Sequence, residues 1–132
     1  MLAKGSKVPL RILAADDDPS VILSLSYALR DDGHAIRGVS DGEAALHELR
    51  EHPSDYDLLI TDHAMEGMDG LSLVMALRNS GWKRPILVLS AVLDQMLTAA
   101  FRVHRVSQII RKPFDLHEIR TAIAAAAASG TP

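Results

Sequence analysis

Hydrophobic and polar positions fall in alternating blocks along the chain. Short, nearly continuous apolar runs are followed by longer segments whose apolar residues recur at three- and four-residue spacing. The first kind reads as buried strand and the second as amphipathic helix. Strands are predicted at "LRILAA" (10–15), "HAIRGV" (34–39), "DLLIT" (57–61), "PILVLS" (85–90) and "QIIR" (108–111). A helix follows each of them. The first begins with Asp18 as cap and Pro19 at the first helical position and stops at Gly33; the second runs over 41–52, capped by Asp41 and ended before Pro53. The others are expected over 70–81, 94–104 and 115–128, the last decaying through an alanine run into "SGTP".

Strand–helix units in series imply right-handed crossovers, a parallel sheet and helices on both of its faces. Apolar runs without strict alternation suit strands buried on both sides. A chain of 132 residues is one domain, with a core over about 11–127 and short tails. Of the doubly wound α/β orders, the five-stranded 2-1-3-4-5 arrangement, the flavodoxin-like (βα)5 fold, fits this length. There the first and third strands are neighbours whose connections leave in opposite directions. A crevice opens at their carboxyl ends, so residues that end strands become the candidates for function.

Those residues are polar. The first strand runs into Asp16, Asp17 and Asp18, the third into Asp62, the fourth into Ser90 and the fifth into Lys112. Each has a plain explanation in isolation: a helix cap, a turn serine, an exposed lysine before proline. Their convergence on one crevice does not. Clustered carboxylates disfavour one another's ionisation, and a hard divalent cation such as Mg²⁺ relieves the repulsion. With a lysine and a hydroxyl added, the set suits a phosphoryl group, whose oxygens need neutralising during transfer. A carboxylate can itself be the nucleophile and become an acyl phosphate, and Asp62 is placed for that role.

Composition mainly excludes. Fourteen basic against 17 acidic residues, net charge −3, give no electrostatic footprint for direct nucleic-acid binding. With Cys 0, disulfides, thiol catalysis and cysteine metal sites are out. The opening "MLAKGSKVPLR" lacks the apolar region of a signal peptide, and no run approaches a membrane span, so a cytoplasmic location with no membrane partner is expected.

From about Arg11 to Ala127 the sequence resembles the receiver domain of two-component response regulators. The resemblance is carried by "ILAADDDPS", "DLLITDHAMEGMDG", "PILVLSA" and "IIRKPF", in the family's order and spacing. It implies that Asp62 is the phosphoacceptor, that Asp17 ligates Mg²⁺ directly, and that Asp16 does so through water. It also implies that the backbone carbonyl of Ala64 is a further ligand, and that Ser90 and Lys112 hold the phosphoryl oxygens. The Lys112–Pro113 bond matches one that is cis in most members. Implied partners are a histidine kinase or histidine phosphotransfer protein and a downstream protein docking on the surface of helix four, strand five and helix five. Homodimerisation on phosphorylation is a further outcome the resemblance allows. Beyond its own phosphorylation and dephosphorylation, no enzymatic activity is implied.

Departures are informative. Glu66 stands where many members carry proline, and Ile109 where many carry the aromatic switch residue, so the switch is expected to run through Ser90 with little from Ile109. Ala64 and Val92 cannot donate a hydrogen bond to a phosphoryl group. Asp18 is expected to cap rather than ligate. His63 should point away from Asp62 by strand alternation, and His47 and His52 should lie on a solvated face beside Glu43, Glu48 and Glu51. Met65 and Met68 are expected to pack within their loop.

Three other readings compete. "DDDPS" loosely fits the nucleophile motif of haloacid-dehalogenase-like phosphatases with Asp16 attacking, but those enzymes need no aspartate ending the third strand and require a further acidic pair. The chain could be a receiver cut from a longer regulator or hybrid kinase rather than a stand-alone one; no output domain fits after Ala128. A receiver-like binding module without phosphorylation would lack an acidic or lysine position, and none is missing.

Overall fold

The computed structural model describes residues 8–129. Strands β1 (Arg11–Ala15), β2 (Ala35–Val39), β3 (Leu58–Asp62), β4 (Ile86–Ser90) and β5 (Gln108–Arg111) alternate with α1 (Pro19–Asp31), α2 (Gly42–Glu51), α3 (Gly70–Asn79), α4 (Gln95–Val103) and α5 (Leu116–Ser129). The sheet is parallel, in the order β2-β1-β3-β4-β5. This is the doubly wound topology expected from the pattern. The boundaries move by one or two residues: β3 reaches Asp62 itself, and α3 stops at Asn79.

Period-two alternation sends each strand's side chains into two separate cores. Leu13, Leu59, Ile86 and Val88 pack on one side with Leu46 and Leu49 of α2, Leu73 and Leu77 of α3, and Phe101 of α4. Ile12, Leu58, Ile60, Leu87 and Leu89 pack on the other with Leu25 and Leu29 of α1 and Ile119, Ala122 and Ile123 of α5. β3 and β4 are buried along their full length. The edge strands β2 and β5 expose several positions, so the fully buried pattern holds only for the middle of the sheet.

Helix starts account for five of the aspartates. Asp18, Asp41, Asp69 and Asp94 each accept from a backbone N–H in the first turn of their helix. Asp115 and Glu118 form a reciprocal box ahead of α5: the Glu118 N–H donates to Asp115 at 2.9 Å, and the Asp115 N–H to Glu118 at 3.1 Å. At the amino end of the sheet Asp57 takes the Arg11 and Arg84 guanidinium groups, both at 3.0 Å. These acids are structural, whereas the buried acids among the described residues, Asp16 and Asp62, gather at the carboxyl end of the sheet. Among the described residues no helix is long and apolar enough to cross a membrane.

One buried polar pair yields a pH prediction. Tyr56 is buried and its hydroxyl donates to Glu48 at 2.6 Å. Burial, then the Glu48 hydrogen bond and charge, push the phenol from 10.0 up to about 12. A pKa raised by folding means the contribution to stability is whole below the unfolded value and is lost as pH rises through the folded one. One of the two tyrosines should therefore ionise only near pH 12 in an ultraviolet titration, and Tyr56→Phe should delete that step.

Candidate functional site

Strand parity places the charged ends. Asp62 continues the face of Leu58 and Ile60, Asp16 that of Ile12 and Ala14, and Lys112 that of Ile110, all on the α1/α5 side of the sheet. β1 and β3 are hydrogen-bonded neighbours, so the two aspartates meet where the strand order reverses. The Lys112 ammonium lies 3.1 Å from Asp16 and 3.2 Å from Asp62. Ligand oxygens of Asp16, Asp17 and Asp62 all lie within 4.8 Å of one another. Asp16 and Asp62 are buried, while Asp17 is exposed at the mouth of the crevice.

The carboxylates are not equivalent. Both oxygens of Asp16 are engaged: Oδ1 accepts from the Asp18 N–H at 2.9 Å and Oδ2 from Lys112. The Asp62 carboxylate meets only Lys112 among the described residues, through Oδ1, so Oδ2 has no protein donor there. Burial, then the charge of Asp16, push the Asp62 carboxyl above the ordinary range, against the pull of Lys112. Burial alone would lower the Lys112 ammonium, but its bonds to Asp16 and its proximity to Asp62 outweigh that and raise it. With the lysine charged, three carboxylates and one ammonium leave two uncompensated negative charges, the amount one divalent cation carries.

Asp18 stands apart as the α1 cap, accepting from the Ser20 N–H at 2.9 Å and the Ser20 hydroxyl at 2.7 Å. Ser90 closes β4 on the opposite parity, that of Val88, and faces the α4 side. It is buried, and its hydroxyl donates to the Val92 carbonyl at 2.5 Å, so the side chain is held by its own loop rather than by Asp62 or Lys112. Ile109 shares that parity and packs against the α4-side core. Ala64 lies exposed two residues beyond Asp62, and its carbonyl accepts no hydrogen bond among the described residues. The Lys112–Pro113 bond is cis.

His63 has a structural occupation. Its Nδ1 accepts from the Leu71 N–H at 3.3 Å, and its ring meets Phe101 edge-on at 5.4 Å. Met65 is buried in the core with Met68 against it, and His47 and His52 are exposed. Gly70 is a site residue that strand-end reasoning does not find. Its N–H donates to the His63 carbonyl at 2.8 Å, and a Cβ there would lie 2.6 Å from the Asp62 carbonyl oxygen. The available signal was a glycine at the first position of a helix, where better helix formers are the rule.

The chain matches the family model of the response regulator receiver domain over residues 12–124, and it belongs to that family. Transcriptional regulatory protein TctD of Salmonella typhimurium is 37% identical over 113 residues, 83% of this chain and 48% of that protein. Response regulator MprA of Mycobacterium leprae is 36% identical over 117 residues, 88% of this chain and 50% of that protein. The chain thus spans about half the length of the curated relatives it matches. Among solved structures, a response regulator from Chloroflexus aurantiacus superposes with a TM-score of 0.82 at 29% identity, covering 92% of this chain and 99% of that one. The CheX-CheY-BeF3-Mg+2 complex from Borrelia burgdorferi gives 0.84 over 89% of each chain at 21% identity, a likeness of fold. The protein is a receiver domain of two-component signalling.

Proposed function

We propose that Asp62 accepts a phosphoryl group from a histidine kinase or histidine phosphotransfer protein, and that the phosphorylated domain is read by a partner on its α4–β5–α5 surface. The observation that carries this is the asymmetry of the buried carboxylates: Asp16 has both oxygens occupied, whereas Asp62, beside a lysine, has one with no protein donor among the described residues. That oxygen attacks phosphorus, an O–P bond forms, and the P–N bond of phosphohistidine breaks with its electron pair left on the imidazole. Lys112 is within reach to follow the developing charge on the phosphoryl oxygens.

The donor set fits Mg²⁺. Asp17 and Asp62 would ligate it directly, Asp16 through water and Ala64 through its carbonyl; when bound, the ion supplies neutralisation of the carboxylates and the incoming phosphoryl oxygens. At ten times its Kd, Mg²⁺ should stabilise the fold by about 1.4 kcal/mol, and Asp17→Asn should weaken that effect more than Asp16→Asn. The single tryptophan should not notice the ion. Trp82 is buried ahead of β4, its indole N–H donating to the Pro53 carbonyl at 3.1 Å. A strand of this length spans roughly 16 Å at about 3.3 Å per residue, too far for contact with the ion. A quench of Trp82 emission that saturates with Mg²⁺ would put the ion somewhere else.

The phosphatase reading, with Asp16 as nucleophile, asks a carboxylate hydrogen-bonded through both oxygens to attack and leaves Asp62 without a task. Incubation with acetyl phosphate and Mg²⁺, borohydride trapping and peptide mapping test the proposal. One modification, on Asp62, is expected; a modification on Asp16 would overturn it. Ser90 would turn its hydroxyl from the Val92 carbonyl toward the new oxygens, releasing the loop at 91–94. Ile109, β-branched and packed, has little room to follow.

A further inference from the structure

α4 is held differently at its two ends. Phe101 is its only fully buried residue, while Met96 and Val103 are 85% and 71% exposed and Gln95 and Ala99 lie open to solvent. At its N-terminal end α4 is held by Asp94, which caps Leu97, by the partly buried Leu97 side chain against the core, and by the loop that binds the Ser90 hydroxyl.

The C-terminal end is different. Arg78, from the last turn of α3, is half-buried and has no carboxylate within ion-pair distance among the described residues. Its guanidinium donates instead to four backbone carbonyls. Those of His104 and Arg105, just past α4, lie at 2.9 and 3.0 Å; those of Trp82 and Arg84, in the α3–β4 connection, are both at 2.9 Å. One rigid fork thus joins the ends of two helices, a geometry a point-charge ammonium cannot copy. Arg105 is the only non-glycine among the described residues with positive φ, 60°. The turn it makes returns the Val106 N–H to the Phe101 carbonyl at 3.2 Å. A strained turn of this kind persists when its surroundings over-determine it, and the Arg78 fork supplies two of the contacts that do so.

We infer that Arg78 makes the C-terminal end of α4 a fixed pivot, so that loss of the Ser90–Val92 bond displaces the N-terminal half of the helix while residues 104–106 stay in place. This rests on the phosphoryl reading of Asp62 for its trigger, but not for the clamp itself.

Amide hydrogen exchange on the full chain tests both parts. With Mg²⁺ and beryllofluoride, exchange across 91–99 should change by about fivefold or more while that of 104–106 stays within about twofold. Fluorine resonance establishes occupancy independently, so failure of the mimic to bind would count against the Asp62 reading and leave the clamp to its second arm. In that arm, without ligand, Arg78→Gln should speed exchange at 104–106 by about tenfold or more and spare 96–99, with Arg78→Lys intermediate. If Arg78→Gln does not fold, Arg78→Lys and the wild-type comparison decide. Equal beryllofluoride changes at both ends of α4, or unaltered exchange at 104–106 in the Arg78 variants, would overturn the pivot.

Discussion

Asp62→Asn should take up no phosphoryl group from acetyl phosphate, and without metal it should melt at a higher temperature than the wild type. The first half follows from chemistry: an amide oxygen is too weak a nucleophile to form the acyl phosphate, and Asp16, with both oxygens bound, offers no substitute. The second half follows from the electrostatics. Burial, then Asp16, raise the Asp62 carboxyl in the folded state. A carboxyl whose pKa is raised by folding favours the fold below its unfolded pKa and loses that contribution as pH rises through the folded one. Folding thus disfavours the charged form of Asp62, and asparagine removes that cost while still accepting from Lys112. The stability difference should shrink as the pH is lowered toward the carboxylate range and narrow when Mg²⁺ is added. Labelling and thermal melts in chelator separate the outcomes. Labelling retained in Asp62→Asn would remove the phosphoacceptor assignment; labelling lost together with the fold would remove the electrostatic account.

The residues that end the central strands were legible because they obey simple periodicities. A parallel strand buried on both faces is apolar almost throughout, so the polar residue that closes it marks the strand's carboxyl end, and Asp16, Asp62 and Ser90 stand out for that reason, whereas Lys112 follows Arg111 on the partly exposed edge strand β5. The caps Asp18 and Asp41 were equally readable, since capping depends on local sequence. What could not be read was anything set by orientation across the sheet. Nothing local says that Ser90 is turned to the Val92 carbonyl rather than to Lys112, because that depends on the path of the loop toward α4. Nor does the pattern mark Arg78, which sits in an ordinary basic last turn of a helix and gains its four carbonyl partners only from the tertiary approach of α4. The fully buried strand pattern was over-extended to β2 and β5, whose outer edges have no neighbour to exclude water.

Gly70→Ala should slow phosphoryl uptake by about ten- to a hundredfold, the scale on which a shift of about 1 Å acts on a positioned group. The new Cβ would sit 2.6 Å from the Asp62 carbonyl oxygen and 2.7 Å from the His63 Cα, both backbone atoms, so no side chain can rotate away to admit it. Either the start of α3 or the end of β3 must shift. The shift breaks or stretches the Gly70 N–H bond to the His63 carbonyl and carries Asp62 away from Lys112, which is held from the other side by Asp16. Overpacking of this kind costs about 1–3 kcal/mol, and alanine's smaller loss of chain entropy returns roughly 0.5–1 kcal/mol of it. A modest net loss of stability should therefore accompany a large loss of rate. Gly33→Ala is the control: its φ of +92° makes alanine strained, yet nothing lies within 4 Å of the added carbon, and it follows the C-terminal end of α1, far from the crevice. That variant should lose roughly 1–2 kcal/mol and label at the wild-type rate. If the two variants slow labelling equally, the effect is general destabilisation; if Gly70→Ala labels at the wild-type rate, the approach of α3 to Asp62 does not hold the acceptor in position.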